Sequence, residues 1–222
     1  APAAPAAPAA PAAPAAPAAP AKSVESILAE LPEKFIAAES HLAALKNAIA
    51  SQQAIEYPTR STLSETAIKT MLDNTIATLT VPFDGNVPEA LRPNHERLRD
   101  IEAGLNAKPI NLPALQRNLQ IEQKRLLEAF ELNVSNRLTT LENQKATVSI
   151  LSAKKSAGNP LTNDEVNTLR GIDEATTRLN SPTGHVVKLT EKLPSLYTDS
   201  ILREHAIKLA NASLRDLSLL GE

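Results

Sequence analysis

Cysteine and tryptophan are absent, and aromatic side chains make up only 2% of the chain. Without cysteine there is no disulfide, no thiolate nucleophile and no Cys-type zinc site. That composition fits a reducing, intracellular setting. Globular cores draw much of their buried area from aromatic rings. Here the apolar residues are mostly Leu, Ile, Val and Ala, which suit the narrow stripe between paired helices. Glycine is scarce, with six residues, and strand-like runs are few, so a sheet with tight hairpins is not expected. Charge of one sign is also lacking: 23 basic residues face 25 acidic ones, for a net charge of −2. A one-sided basic surface of the kind that binds nucleic acid is therefore not expected, nor is a basic face for a membrane surface. No run approaches the roughly 20 apolar residues of a membrane span. The N-terminus has neither the charged nor the apolar region of a signal peptide.

What the chain does have is low-complexity sequence followed by helical pattern. Residues 1–21 repeat Ala-Pro-Ala with a period of three. Proline at that spacing removes backbone donors and blocks helix, which predicts an extended, polyproline-like tether, disordered as a domain. A native tether and an added segment both fit, and the tract stands outside the fold reasoning. Residues 22–80 form an N-terminal helical segment. Phe35, Ala38, Leu42, Leu45 and Ile49 step by 3, 4, 3 and 4, a heptad stripe. Pro32 is expected in a first turn after a short lead-in helix, where its missing N–H costs nothing, and Tyr57-Pro58 is expected to end the region. A second helix is expected from Thr62, which has capping-box spacing to Glu65. Its stripe is Ile68, Leu72, Ile76 and Leu79.

Residues 81–111, with Pro82, Pro88, Pro93 and Pro109, read as a jointed connector holding a short helix near 94–103. The longest element is expected over 112–157. Leu127, Phe130, Val134, Leu138, Leu141, Lys145 and Val148 alternate in steps of 3 and 4, with no Pro or Gly between Pro113 and Gly158. At 1.5 Å per residue such a helix is about 65–70 Å long. A helix that long with so narrow a stripe needs partners along its length. Residues 158–222 then read as helix, turn, short helix, turn and helix. Thr162 with Glu165 is a second capping box, Asn180 to Gly184 a turn, and Pro194 a break. The last stripe is Leu202, Ala206, Leu209, Ser213, Leu217 and Leu220.

Chemistry-bearing constellations are missing. The four histidines, His41, His95, His185 and His205, include no i, i+4 pair, and no HExxH occurs. Asp164-Glu165 sits in a helix first turn, where negative charge complements the dipole, so capping explains it better than acid–base catalysis. Lys154-Lys155 suits the end of the long helix for the same reason. Phosphate-binding glycine motifs and the nucleophile elbow are absent. No catalytic residue, cofactor, metal or small-molecule substrate is expected, and the chain is not expected to be an enzyme.

Residues 158–193 carry a more specific pattern. Gly158 ends a helix and Asp164-Glu165 opens the next. Leu179-Asn180-Ser181-Pro182-Thr183 and Lys188-Leu189-Thr190-Glu191 follow without a gap. This run resembles the coiled-coil region of the middle-sized member of the central-channel nucleoporin trimer. Tyr197 and the final helix are compatible with it, so the resemblance covers residues 158–222. The chain departs from that family in having no Phe-Gly dipeptide and no recognisable α/β domain ahead of the coiled coil. The resemblance implies a non-catalytic scaffold at the nuclear pore, a transport assembly in which the chain is one strand of a heterotrimer.

The fold expected from the residues is all-α: extended helices forming a hetero-oligomeric coiled coil with helical hairpins. The partners expected are other coiled-coil chains. Phe35, Leu42, Leu45, Ile49, Leu127, Phe130, Val134, Leu138, Leu141, Val148, Leu202, Leu209 and Leu217 are the candidate partner-interface residues. Two readings of the stripes stand. In one, they pair with other chains in a heteromeric coiled-coil assembly. In the other, they face one another in a self-contained helical adaptor that binds a partner helix or peptide in a groove.

Overall fold

Side-chain caps at Ser23, Ser64, Asn111 and Thr162 open four of the helices. The computed structural model describes residues 2–12, 21–55, 61–197 and 199–220, with backbone alone at 199, 200 and 216–220. Regular structure among them is helical throughout: α1 (Val24–Gln53), α2 (Glu65–Thr80), α3 (Arg92–Asn106), α4 (Leu112–Ser156), α5 (Asn163–Asn180), α6 (His185–Lys192) and α7 (Asp199–Leu220), with single 3-10 turns at Val81–Phe83, Glu89–Leu91 and Leu193–Ser195. Residues 2–12 of the Ala-Pro tract are exposed and have no regular structure.

The Thr162 capping box forms with both halves in place. The Glu165 N–H donates to Thr162 Oγ1 at 3.2 Å, and the Thr162 N–H donates to Glu165 Oε2 at 2.8 Å. Lys154 at the end of α4 also donates to both Glu165 oxygens at 2.9 Å. These donors, Lys154 first, hold the Glu165 carboxyl below the usual carboxylate range. One acid thus caps α5 and ties it to α4. Thr162→Ala is expected to cost about 1 kcal/mol and to lower the melting temperature by about 2–4 °C, as followed by circular dichroism.

Two expected boundaries move. Pro32 lies inside α1, which runs unbroken from Val24. Proline there withholds the N–H that the Leu28 carbonyl would accept. Ile27, Leu31 and Phe35 are buried on either side of it, and that packing outweighs the lost bond. The cap of α2 is Ser64 rather than Thr62: Ser64 Oγ accepts from the Ala67 N–H at 3.2 Å. Thr62 instead presents its carbonyl to Lys208 Nζ of α7 at 2.7 Å. Tyr57-Pro58 lies outside the described residues.

The stripes of α1 and α4 meet each other. Glu25 pairs with Lys155, Lys145 Nζ reaches Glu39 Oε1 at 2.5 Å, and Gln53 Nε2 donates to Glu131 Oε2 at 2.9 Å. As residue numbers rise along α1 they fall along α4, so the two helices are antiparallel. That register sets Phe35 level with Val148, Leu42 with Leu141 and Ile49 with Val134, and all six are buried. On its other side α1 packs against α5. There Lys34 Nζ donates to Asp173 Oδ1 at 2.5 Å, and Asn180 Nδ2 donates to the Lys34 carbonyl at 3.0 Å.

The N-terminal half of α4 packs against α2 and α3. Its 45 residues span about 68 Å, and partners flank it along its length, supplied by the same chain. Polar groups join that half to its neighbours. Arg97 Nε of α3 and Arg125 Nη1 converge on buried Glu122 Oε1 at 2.7 and 2.8 Å. Gln123 Nε2 donates to Thr75 Oγ1 of α2 at 3.1 Å. Between the two halves, α6 lies against α1 and the Val81–Phe83 turn.

Candidate functional site

Ten of the thirteen candidate interface residues are buried or half-buried on the body formed by α1–α6. Phe35, Leu42, Leu45, Ile49, Leu127, Phe130, Val134, Leu141 and Val148 are core, and Leu138 is half-buried against it. The role of partner to these stripes is taken within the one chain, because α1 and α4 present them to each other antiparallel. The other three are on α7. Leu202 is half-buried and Leu209 is exposed, while the Leu217 side chain lies outside the described residues.

One open feature of the body is a groove along one flank of α4. It begins as a compartment of about 710 Å³ between Ala129–Arg137 of α4, the connector from Phe83 to Leu91, and the first turns of α6. Leu45, Leu91, Phe130, Val186 and Leu189 line it and are buried. Leu132 stands on the same wall with 63% of its surface exposed. A second compartment of about 490 Å³ continues toward Thr140 and Gln144. It shares Asp84, Arg137, His185 and Val186 with the first. Its lining is more polar, with Arg178, Ser181 and Thr183.

The connector wall is pinned in place. Asp84 adopts φ 55° and Gly85 φ 83°, the left-handed region that lets the chain turn sharply after Phe83. The Phe83 ring meets the His185 ring edge-on, with centroids 5.1 Å apart. Asp84 pairs with Lys188 of α6 at 2.5 Å. That hydrogen bond, with the lysine charge and a smaller contribution from His185, holds the Asp84 carboxyl below its ordinary value. Gly184, the N-cap of α6, lies so close to the end of α5 that a Cβ would sit 2.6 Å from the Arg178 carbonyl. Glycine is what lets α6 close the groove.

Arg137 stands at the waist between the compartments. Its Nε donates to Asn133 Oδ1 at 2.8 Å. No carboxylate among the described residues lies within ion-pair distance of it. Burial depresses its pKa from the usual guanidinium value, yet arginine remains charged at any ordinary pH. The groove therefore holds a partly desolvated cation whose counter-charge the described residues do not supply. The sequence carried a signal for it. Arg137 has Asn133, Val134, Thr140 and Leu141 at its helical neighbour positions, with no acid among them. The apolar residues Phe83, Val87 and Leu91 in the proline-rich connector were the other clue.

The second open feature is α7. It docks through its first two turns. Ile201 and His205 are buried, Glu204 Oε1 accepts from the Ser64 N–H at 3.1 Å, and Lys208 reaches Thr62. Beyond that patch Ile207 and Leu214 are 55% and 63% exposed. Burial, opposed by Glu204 and assisted by Lys208, lowers the His205 pKa from its ordinary 6.5. The undocked helix therefore binds protons better than the docked one. Docking is at full strength above the free pKa and weakens as pH falls through the lowered, docked one. The protection of amides 201–208 against hydrogen exchange, taken relative to the intrinsic rate at each pH, is expected to fall from pH 7.5 to pH 5, about the range a histidine spans, and to lose that dependence in His205→Leu.

Among the described residues no three His, Asp or Glu side chains come together as a metal-binding group. No helix among them is long and apolar enough to cross a membrane. Comparison with protein families, curated proteins and solved structures returns no match.

Proposed function

We propose that this chain is a helical protein-interaction module: a self-contained adaptor that holds a partner's helix or peptide in the groove between α4, α6 and the connector, and that works by binding rather than by catalysis. The observation that carries this reading is the groove itself. It is an apolar trough bounded by Leu132, with an unmatched cation at its centre, on a body whose own stripes are already covered. Helix-in-groove recognition uses these elements, apolar anchors at i, i+3 or i+4 and i+7 set by a few polar contacts.

The test is a binding titration with a fluorescent amphipathic peptide carrying leucines at i, i+3 and i+7 and one glutamate on the same face. Saturable binding is expected, lost in Leu132→Lys and kept in Ile150→Lys, which alters an exposed apolar residue of α4 that does not line the groove. No binding, or equal loss in both variants, would contradict the reading.

A second reading keeps the chain as a structural subunit of a heteromeric coiled-coil assembly. What supports it is α7, whose exposed apolar residues continue past its docking patch. With the resemblance of residues 158–222, that reading places the chain at the central channel of the nuclear pore, offering α7 to two other channel nucleoporins. Stoichiometric heterotrimer formation on co-expression with such partners, lost on removal of residues 206–222, is its expected result.

A further inference from the structure

The second compartment of the groove, about 490 Å³ between α4, α5 and the start of α6, holds more positive charge than its walls balance. Arg137 of α4 and Arg178 of α5 both line it. The one acid in its lining among the described residues is Asp84, and that carboxylate is already paired with Lys188 at 2.5 Å. Glu174 lies one turn before Arg178 on α5, yet neither it nor any other described acid forms an ion pair with Arg178. Two guanidiniums therefore share one compartment without a counter-charge. Their donors are open as well. Arg137 uses Nε on Asn133 Oδ1, which leaves its Nη atoms free, and no hydrogen bond among the described residues engages the Arg178 guanidinium. Gln144, half-buried on the same wall, makes no side-chain hydrogen bond among the described residues. Ser181 Oγ and Thr183 Oγ1 lie 3.2 Å apart and share one hydrogen bond, so one of the two hydroxyls keeps its proton for another acceptor.

A ligand that matches these walls carries about two negative charges and several acceptor oxygens. A carboxylate brings one charge. A phosphate monoester brings about −1.5 to −2 at neutral pH, with three strong acceptors, and its oxygens fit the paired donors of a guanidinium fork. The apolar compartment opens directly beside this one, sharing Arg137, His185 and Val186 with it. Leu132 and Arg137 are about 7.5 Å apart along the axis of α4, so an apolar side chain and a phosphate one or two turns apart on a single helical peptide reach both compartments. Resting on the adaptor reading, we propose that the peptide this groove takes is phosphorylated, with a phosphoserine or phosphothreonine held between Arg137 and Arg178 and a neighbouring leucine-like side chain in the apolar trough. Phosphorylation of the partner then switches binding on, by supplying the charge that the two arginines lack.

The test titrates the full chain with fluorescent versions of the leucine peptide that differ only in carrying serine, glutamate or phosphoserine at the one polar site. The phosphoserine version is expected to bind about tenfold or more tighter than the serine version, with glutamate between them. Arg178→Gln, at an exposed position of α5, is expected to remove most of that preference while leaving helicity and the affinity for the serine peptide unchanged. Arg137→Gln is expected to remove it too. Arg170→Gln, which alters an exposed arginine of α5 outside the compartment, is expected to keep it. Inorganic phosphate is expected to compete only at far higher concentration than the phosphopeptide. Equal binding of the phosphoserine and serine versions, or of the phosphoserine and glutamate versions, overturns the proposal and leaves the adaptor reading standing. A preference that survives Arg178→Gln overturns it as well. Inorganic phosphate that competes as well as the phosphopeptide assigns the compartment to the free ion and overturns the peptide. If none of the versions binds, the proposal and the adaptor reading fall together.

Discussion

Leu42→Asp is expected to abolish cooperative folding of the chain. Leu42 is fully buried on α1, level with Leu141 of α4 and one turn from Ala38 and Leu45. Truncating a core leucine to alanine costs about 2–5 kcal/mol in lost transfer energy and cavity. Aspartate adds a charge at a fully buried position, a further cost of several kcal/mol. Whole domains are stable by only about 5–15 kcal/mol, so one such change removes most or all of it. Leu42→Ala is expected to remain folded with a lowered melting temperature. Leu132→Asp, on the exposed face of α4, is expected to melt like the wild type. Thermal circular dichroism of the three variants separates these outcomes. A Leu42→Asp chain that folds like the wild type would mean that the α1–α4 contact is not the core.

Gln116→Leu has the next largest expected effect, about 2–4 kcal/mol. The Gln116 side chain is buried and serves as a peptide group turned sideways. Its Oε1 accepts from the Leu63 N–H at 2.7 Å and its Nε2 donates to the Ser61 carbonyl at 3.0 Å. The two bonds clamp residues 61–63, just ahead of α2, onto the start of α4. Leucine fills similar volume but leaves a buried N–H and a half-buried carbonyl without their partner. Gln116→Glu is the informative contrast, since it can still accept from Leu63 but cannot donate to Ser61. The midpoint of urea unfolding is expected to fall in both. Hydrogen exchange at Leu63 is expected to rise more in Gln116→Leu than in Gln116→Glu, and equal rises would show that the clamp is not what protects that amide.

How far the sequence could be read depended on how α4 is covered. In its C-terminal half a single line, Val134, Leu141 and Val148, faces α1, and a line seven residues apart is visible in any sequence. In its N-terminal half the helix is covered over a broader face, and Gln116, Glu122 and Gln123 are among the buried residues. Each is held by a specific partner from another element, Ser61, Arg97 or Thr75. Polarity hid that face, because satisfaction of a buried polar group depends on residues far away in the chain. The same non-locality applies to the question of who pairs with whom. A heptad stripe records that a helix will be covered, not whether the covering helix belongs to its own chain. The glutamate and lysine positions that fix the α1–α4 register were present, yet pairs such as Glu39 and Lys145 are 106 residues apart. The groove was legible only in fragments, an arginine without an acid and three apolar residues among prolines, because its walls come from α4, α6 and the connector at once. A helix end was readable where its cap lies within one turn, as Thr162 with Glu165 does, but the same spacing in Thr62 and Glu65 does not form a cap, and Ser64 takes that place.

The central claim is that the stripes are covered within one chain, so that folding needs no partner. The most direct measurement is the thermal melt of the dilute chain by circular dichroism, taken at two low concentrations, with its mass determined by light scattering under the same conditions. The account predicts a helical monomer of 23.7 kDa that unfolds cooperatively, at a temperature independent of concentration. A poorly helical chain, or an oligomer whose melting temperature rises with concentration, would contradict it and return the stripes to the surfaces between chains.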